Sequence, residues 1–209
     1  MSVLSFDELN RLEKKRRSEP IDEYYEPMHI SRQRKNNRIR TAEKYRDAVL
    51  AYMHFIDEYA QYGYIDIPAK QYLHDGILSV VEDVMIADRV LRDYADRITS
   101  DIHDATMRNK EKDPYFLSED RATFIGEDES NALWNYEELQ EALDVGMTRK
   151  TWNTVGDRVV RDTHKAVRGK TIPIEKAFSV GEAMLMTPRD PEVDAPEETV
   201  NCRCWLTFS

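Results

Sequence analysis

The amino-acid sequence predicts an α+β protein. A helical N-terminal part with a long antiparallel helical hairpin precedes a small α/β unit at the C-terminus. The chain has 209 residues but only 7 glycines and 8 prolines, a composition that favours long helices over a turn-rich β-sandwich. Apolar residues recur at steps of three and four from Thr41 onward, which is the period of a packed helix. After Gly146 short β-branched and aromatic segments replace this pattern, which indicates strands.

Charge is distributed unevenly along the chain. The net charge at pH 7 is −10, yet residues 1–50 carry 12 Lys/Arg against 9 Asp/Glu, so the remainder is strongly acidic. An acidic body repels a nucleic-acid backbone, which excludes a general DNA coat protein. The sequence has neither an apolar run of 18 residues nor a signal-like N-terminus, so we expect no membrane contact. Two cysteines without a disulfide framework indicate synthesis in a reducing, intracellular compartment.

Residues 1–40 show little periodicity and are interrupted by Pro20 and Pro27. We therefore predict a mixed-charge arm that is ordered mainly by a partner. Its basic runs "EKKRRS" and "SRQRKNNRIR" are typical of solvated, flexible segments. Alternatively, the arm lies on an acidic partner or on nucleic acid. The candidate partner-binding residues are then Arg32, Arg34, Lys35, Arg38 and Arg40.

Residues 41–110 carry two apolar stripes that predict the helical hairpin. Thr41 is placed to act as the N-cap of the first helix. The segment "YGYIDIPAK" should connect two helices that pack antiparallel, and such stripes indicate a helical core rather than catalysis. The stripes consist of Ala42, Tyr45, Val49, Tyr52, Ile56 and Tyr59, and of Ile77, Val80, Val84, Ala87, Leu91, Tyr94 and Ile98.

The charged segment "RNKEKDPYFLSED" predicts a boundary near residues 108–117. A third helix is predicted from Ser118 to Val145, with Gly146 at its C-cap. In the C-terminal unit the segment "RKTWNTV" predicts a strand. A short helix in "GDRVVRDTHKAVRGK" should end at Gly169, and two further strands are predicted in "EAMLMTP" and "CRCWLTFS".

Asp157, Arg161 and His164 are spaced four and three apart, so on one helix they would share a face. The order of "KTW", these three residues, a closing glycine and the terminal "VNCRCWL" resembles the C-terminal domain of phage minor head proteins. This is the Mu F-like family of head morphogenesis proteins. The resemblance covers residues 118–209, a helix plus a small mixed sheet. Its motif positions are Trp152, Asp157, Arg161, His164, Gly169, Asn201, Cys202 and Cys204.

The resemblance implies a low-copy minor head protein of a tailed phage or prophage. Such a protein would associate with the portal vertex or the procapsid interior and act in head morphogenesis, in DNA delivery, or in both. The implied partners are the portal protein and other capsid components, with packaged DNA as a candidate partner of the arm. The implied location is the virion, with the host cytoplasm during assembly. One departure is the upstream helix, where the family often carries an Arg-Thr-Glu-like triplet and this chain has "IGEDES".

The residues themselves leave a metal site open. Cys202, Cys204 and His164 offer three zinc ligands, with Asp157 or His103 as a candidate fourth. A Cys-x-Cys pair is poor disulfide geometry, and structural zinc sites more often use Cys-x-x-Cys. The competing interpretation is that both cysteines pack as small hydrophobes on the closing strand, with Asn201 helping to hold that strand against the His164 helix. Under that interpretation no cofactor is needed.

A further alternative is an enzyme, a metal-dependent or acid–base hydrolase or transferase centred on His164. Asp157 and Arg161 nearby would serve proton transfer or phosphate binding. The same three residues also make an ordinary ion network on a helix surface. We therefore expect a non-enzymatic head protein, and we interpret Trp152 as a core aromatic residue.

Overall fold

The computed structural model describes residues 20–59, 65–85 and 89–209, so the first 19 residues of the predicted arm lie outside the described part. The predicted α+β class is confirmed. None of the described helices is long and apolar enough to cross a membrane. The helices are α1 (Ile21–Tyr25), α2 (Arg32–Tyr59), α3 (Asp66–Val84), α4 (Arg89–Asn109), α5 (Glu119–Asp144), α6 (Asp162–Val167) and α7 (Pro196–Thr199), with a 3₁₀ helix at Pro114–Leu117.

The described half of the predicted arm folds against this chain itself. Tyr24 and Tyr25 of α1 are buried beside Trp205 of the C-terminal strand. The hydroxyl of Tyr25 donates a hydrogen bond to the carbonyl of Glu127, 2.8 Å away in α5. Burial of these two aromatic rings holds the segment in place on the rest of the chain. Its charge and its prolines had indicated that a partner would be needed to order it.

Helix α2 begins at Arg32, so Thr41 lies inside the helix and the N-cap prediction for it was wrong. The Thr41 hydroxyl instead accepts a hydrogen bond from the indole nitrogen of Trp134 at 3.0 Å. The apolar stripe with a helical period begins only at Ala42. The first turns of α2 are polar and have no such stripe, so the sequence pattern did not reveal that they are helical.

The predicted two-helix hairpin is a set of three helices, in which α3 packs on α2 and α4 packs on α3. Helix α3 ends at Val84 and is followed by Met85 in an extended conformation, whereas α4 begins at Arg89. The single second helix predicted across this break was therefore wrong, and Ala87 of its stripe lies outside the described residues. An apolar period of three and four residues cannot distinguish one helix from two that share a core.

Helix α5 closely matches its prediction. The Ser118 hydroxyl caps its N-terminus by accepting from the Arg121 amide at 3.3 Å. At the other end Gly146 has φ of +78°, and a Schellman motif forms because the Gly146 and Met147 amides bond to the carbonyls of Leu143 and Ala142. Apolar residues of α5 join the same core as those of α2, α3 and α4. The predicted division of the chain into an arm, a hairpin and a separate C-terminal domain stays a prediction.

Helices α2 and α5 approach each other closely at Gly126. A Cβ atom at this position would overlap the carbonyl oxygen of Ala42 in α2. The glycine thus allows the polar face of α5 to reach both α2 and the C-terminal segment.

A three-stranded antiparallel sheet forms the C-terminal unit. The predicted strand "RKTWNTV" is its centre, β1 (Arg149–Thr154), flanked by β2 (Thr171–Pro173) and β5 (Cys204–Phe208). Strand β5 pairs with β1 so that Trp152 lies opposite Leu206 and Thr154 opposite Cys204. Strands β3 (Phe178–Val180) and β4 (Ala183–Leu185) form a separate hairpin, of which only β4 was predicted.

Helix α6 is shorter than the sequence predicts. Asp157 precedes it in a turn, where its carboxylate accepts a hydrogen bond from the Val159 amide at 3.1 Å. Arg161 is the N-cap residue, so only His164 of the three spaced residues lies in the helix. The prediction that the three share one helical face was therefore wrong. Gly169 ends this segment with φ of +74°, and its amide donates to the Trp152 carbonyl at 2.8 Å.

Candidate functional site

The structure brings His164, Cys202 and Cys204 together in the interior of the C-terminal unit. The Nδ1 atom of His164 lies 3.3 Å from the Sγ atom of Cys204 and 3.6 Å from that of Cys202. All three side chains are buried, and His164 is only 2% exposed. Trp152 packs edge-on against the imidazole ring with centroids 5.6 Å apart, which confirms its role as a core aromatic residue.

The second ring nitrogen of His164 contacts Glu198 of α7, a residue that the sequence did not indicate as part of the site. Its carboxylate lies 3.1 Å from Nε2 of His164 and accepts a hydrogen bond from the Thr163 hydroxyl at 2.7 Å. Nε2 therefore faces the Glu198 carboxylate, and Nδ1 faces the two sulfur atoms.

The pKa values of the three side chains in the cluster shift in different directions. Burial raises the pKa of the Cys202 thiol, but hydrogen bonds from Cys204 and His164 outweigh it and lower that pKa well below its usual value. Burial and the neighbouring Cys202 raise the pKa of Cys204. Burial lowers the pKa of His164, but Cys202 more than compensates and the net pKa is raised. Buried thiolate and imidazole are a ligand set for a soft metal.

The remaining motif residues do not join this cluster. Asp157 forms an ion pair with Arg203 rather than with His164, so the acid–base pair of the alternative enzyme interpretation is not formed. The guanidinium of Arg161 donates to the carbonyl of Val200 at 2.5 Å. Helix α6 starts too late to align these residues with His164.

Asn201 and His103 also lie elsewhere. Asn201 has φ of +57° and donates its backbone N–H to the Asp128 carboxylate at 2.9 Å, so it holds the chain to α5 rather than to His164. His103 lies in the helical core, with its ring nitrogens 2.9 Å from the Tyr52 hydroxyl and 2.9 Å from Asp66. It is therefore no fourth ligand to the cluster.

A polar layer behind the thiols positions their backbone. The side-chain amide of Asn131 donates to the carbonyls of Cys202 and Cys204 at 2.8 and 3.2 Å, and that of Asn135 donates to Cys204 at 3.1 Å. Arg38 of α2 donates in turn to the oxygen of each asparagine at 3.2 Å. Since amides and guanidinium satisfy one another, the whole layer can be buried.

Glu138 completes this layer as the counter-charge of two arginines. Arg38 reaches its carboxylate with bonds of 2.6 and 2.8 Å, and Arg34 pairs with the same group while donating to the Leu206 carbonyl at 3.1 Å. Arg38 is 0% exposed. The expectation that Arg38 binds a partner is therefore corrected, because the buried carboxylate and amides of α5 occupy its donors. Arg34 is partly exposed, and its role in partner binding stays a prediction.

The other three candidate residues of the arm lie on the surface side of α2. Arg32 and Arg40 are exposed, and Lys35 pairs with Glu26 at 3.2 Å. Their role in partner binding stays a prediction.

A second buried ionic cluster joins α5 to the loop before α7. The guanidinium of Arg189 pairs with Asp128 and, at 2.7 Å, with Glu129, and the latter also accepts from the Tyr94 hydroxyl. Burial raises the pKa of Asp128 to about 7, although Arg189 opposes the shift. The acidic run "GEDES" thus supplies the carboxylates of this cluster.

The Glu138 ion pairs predict a specific loss of stability in acid. Burial raises the pKa of Glu138, but Arg38 and Arg34 outweigh it and hold that pKa below the usual value of about 4.3. Because the folded pKa is depressed, the contribution to stability is complete above about pH 4.3 and is lost as the pH falls through the folded pKa. We expect wild-type protein to lose more unfolding free energy between pH 6 and pH 3 than Glu138→Gln, measured by urea denaturation. Exposed Glu141 on the same helix is the control, since Glu141→Gln should keep the wild-type slope.

Comparison with known proteins connects this architecture to a family. The family model described as Phage Mu protein F like protein matches residues 82–207. The match includes the cluster of His164, Cys202 and Cys204, the polar face of α5 and all of α4, so it begins upstream of the region recognised from motifs. Searches of curated proteins and of solved structures give no significant match. The match covers more than half of the chain, and the protein therefore belongs to the phage Mu F-like family, which implies a phage head morphogenesis protein.

Proposed function

We propose that the protein is a low-copy minor head protein that associates with the portal vertex or the procapsid interior and acts in head morphogenesis, DNA delivery, or both. The family match over residues 82–207 carries this proposal. Its partners are then the portal protein and other capsid components, and its location is the virion.

The use of the reactive side chains supports a structural role. His164, both cysteines, Asp128 and Glu138 are buried and bonded to other parts of the same chain. Catalysis needs such groups to meet a substrate, whereas here His164 bonds to Cys204 and Glu198, and the two carboxylates bond to arginines of the same chain. Membership of a family of phage structural proteins likewise suggests a non-enzymatic function.

Quantitative peptide mass spectrometry on purified procapsids and mature particles tests the proposal. The particles come from the phage or prophage that encodes the chain. A few copies per particle, in constant ratio to the portal protein, would support it. Abundant free protein in the lysate, with none in either particle, would contradict it.

The exposed basic face of α2 is the surface we propose for partner contact. It contains Arg32 and Arg40, whose charges point away from the polar layer and contrast with the acidic body. A deletion of the arm cannot test this surface, because it also removes buried Arg38. Charge reversal of the two exposed residues is the sharper test.

We expect the double variant Arg32→Glu/Arg40→Glu to fold normally and to reduce the copy number per particle several-fold, because charge complementarity guides association. Lys170→Glu/Lys176→Glu makes the same charge change at exposed positions of the C-terminal unit and should leave incorporation unchanged. A loss already present in DNA-free procapsids would identify a protein partner, and a loss confined to DNA-filled heads would identify DNA. Wild-type incorporation of the α2 variant would exclude this face as the contact without affecting the head-protein proposal.

A further inference from the structure

We propose that Cys202, Cys204 and His164 bind a zinc ion that fastens the start of β5 to α6. The three ligand atoms lie within 4.8 Å of one another, and all three residues are buried. Two sulfurs and one imidazole nitrogen are a donor set that Zn²⁺ prefers, and it matches three of the four positions of a tetrahedral site. This inference concerns a metal site and does not depend on the proposed function.

The distances in the cluster agree with a shared metal. Zinc bonds of about 2.0–2.1 Å to nitrogen and 2.3 Å to sulfur, at a tetrahedral angle, place the nitrogen and sulfur atoms about 3.6 Å apart. The Nδ1 atom of His164 is 3.3 Å from Cys204 Sγ and 3.6 Å from Cys202 Sγ. A small shift of one sulfur atom would therefore admit the ion.

Glu198 prepares the imidazole for this role. Metal-bound histidines almost always donate their second ring N–H to a carboxylate or carbonyl, which fixes the tautomer and the ring orientation. The Glu198 carboxylate lies 3.1 Å from Nε2 of His164 and is itself held by Thr163 at 2.7 Å. Nδ1 is thereby left as the ring nitrogen that faces the two sulfur atoms and would bind the metal.

Two sulfur atoms face the single Nδ1 atom, which can share a hydrogen bond with only one of them at full strength. A zinc ion would bond to all three atoms at once. The carbonyls of both cysteines are already fixed by Asn131 and Asn135, so the thiols are held in place.

Among the described residues no fourth histidine, cysteine or carboxylate joins the group. Within the described part of the chain, a water molecule is left as the fourth ligand. Because the site is buried and links residues 40 positions apart, its consequence is structural: it ties together the two ends of the segment that contains β2, the β3–β4 hairpin and α7.

Metal analysis of the full-length protein, purified under reducing conditions without chelator, tests the inference. We expect about one zinc per chain, and a thermal midpoint that falls on treatment with a strong chelator and recovers when one equivalent of zinc is added. Cys202→Ser, Cys204→Ser and His164→Gln should each carry less than about a tenth of the wild-type zinc. The matched control is His103→Gln, which also removes a buried histidine paired with a carboxylate but should keep its zinc.

Cobalt provides a readout that separates metal binding from folding. Stripped wild-type protein titrated with Co²⁺ should develop a thiolate-to-cobalt charge-transfer band that saturates at one equivalent, while circular dichroism shows that the protein is folded. Each cysteine variant should have a weaker band. Folded, reduced wild-type protein that contains no zinc and gives no such band would overturn the inference.

Discussion

Replacing Arg38 with alanine is expected to lower the free energy of unfolding by about 3–5 kcal/mol, the range seen when one partner of a buried ion pair is removed. The guanidinium is fully buried and donates to Glu138, Asn131 and Asn135. Its loss leaves a buried carboxylate with Arg34 as its remaining cation, and two amide oxygens without a donor. The polar layer that holds the cysteine backbone would lose its centre.

Urea denaturation followed by circular dichroism measures this effect. The control is Arg32→Ala, a change of the same residue type in the same helix, where the side chain is exposed. An exposed substitution of this kind should change stability by less than about 0.5 kcal/mol. Equal stability of the two variants would show that Arg38 is solvated in solution and that the polar layer is not formed.

The burial of Arg38 could have been predicted from spacing. Counting back from the apolar stripe of α2, the steps of three and four that connect Ala42 and Tyr45 also reach Arg38. On α5, the residues Asp128, Asn131, Asn135 and Glu138 follow one another at steps of three, four and three. An arginine in register with an apolar stripe, and a stripe of carboxylates and amides with a helical period on another helix, together indicate a buried polar interface between helices. The local excess of positive charge instead indicated a solvated arm.

Other features depend on three-dimensional contacts and have no local signal. The Glu198 carboxylate meets His164 across 34 positions of the chain, so no motif spacing predicts that contact. The end of α3 at Val84 leaves the apolar period intact, because both helices pack on the same core. Asp157 hydrogen-bonds to the Val159 amide, which stabilises a turn in a segment whose composition also suits a helix.

Elements with explicit terminal signals were predicted well. Ser118 and Gly146 mark both ends of α5, and each makes the capping contacts that its residue type favours. The segments of β1 and β5 are short and rich in β-branched and aromatic residues, which favours a strand. His164 and the two cysteines were predicted as a set, since they belong to one family motif. The contact between Glu198 and the His164 ring was not predicted.

Replacing Arg189 with methionine is the second change for which we expect a loss of about 3–5 kcal/mol in unfolding free energy. The guanidinium is the buried cation between Asp128 and Glu129, and it also donates to the Thr199 carbonyl at 3.1 Å. Methionine keeps much of the side-chain volume, so the loss reports on charge rather than on a cavity. Arg158→Met is the control, because Arg158 is exposed in the same C-terminal unit and should leave stability nearly unchanged.

Adding Asp128→Asn to Arg189→Met should recover part of the lost stability. Asparagine removes one of the two carboxylates that the first substitution leaves unpaired, and its side-chain oxygen can still accept from the Asn201 amide. The two residues are in direct contact, so we expect a coupling free energy of about 0.5–3 kcal/mol from a double-mutant cycle of urea unfolding. The two free-energy changes could instead be additive, so that Asp128→Asn costs as much stability in the Arg189→Met variant as in the wild type. The Asp128 carboxylate would then have no stabilising interaction with Arg189. The ionic link between α5 and the loop before α7 would then contribute packing alone.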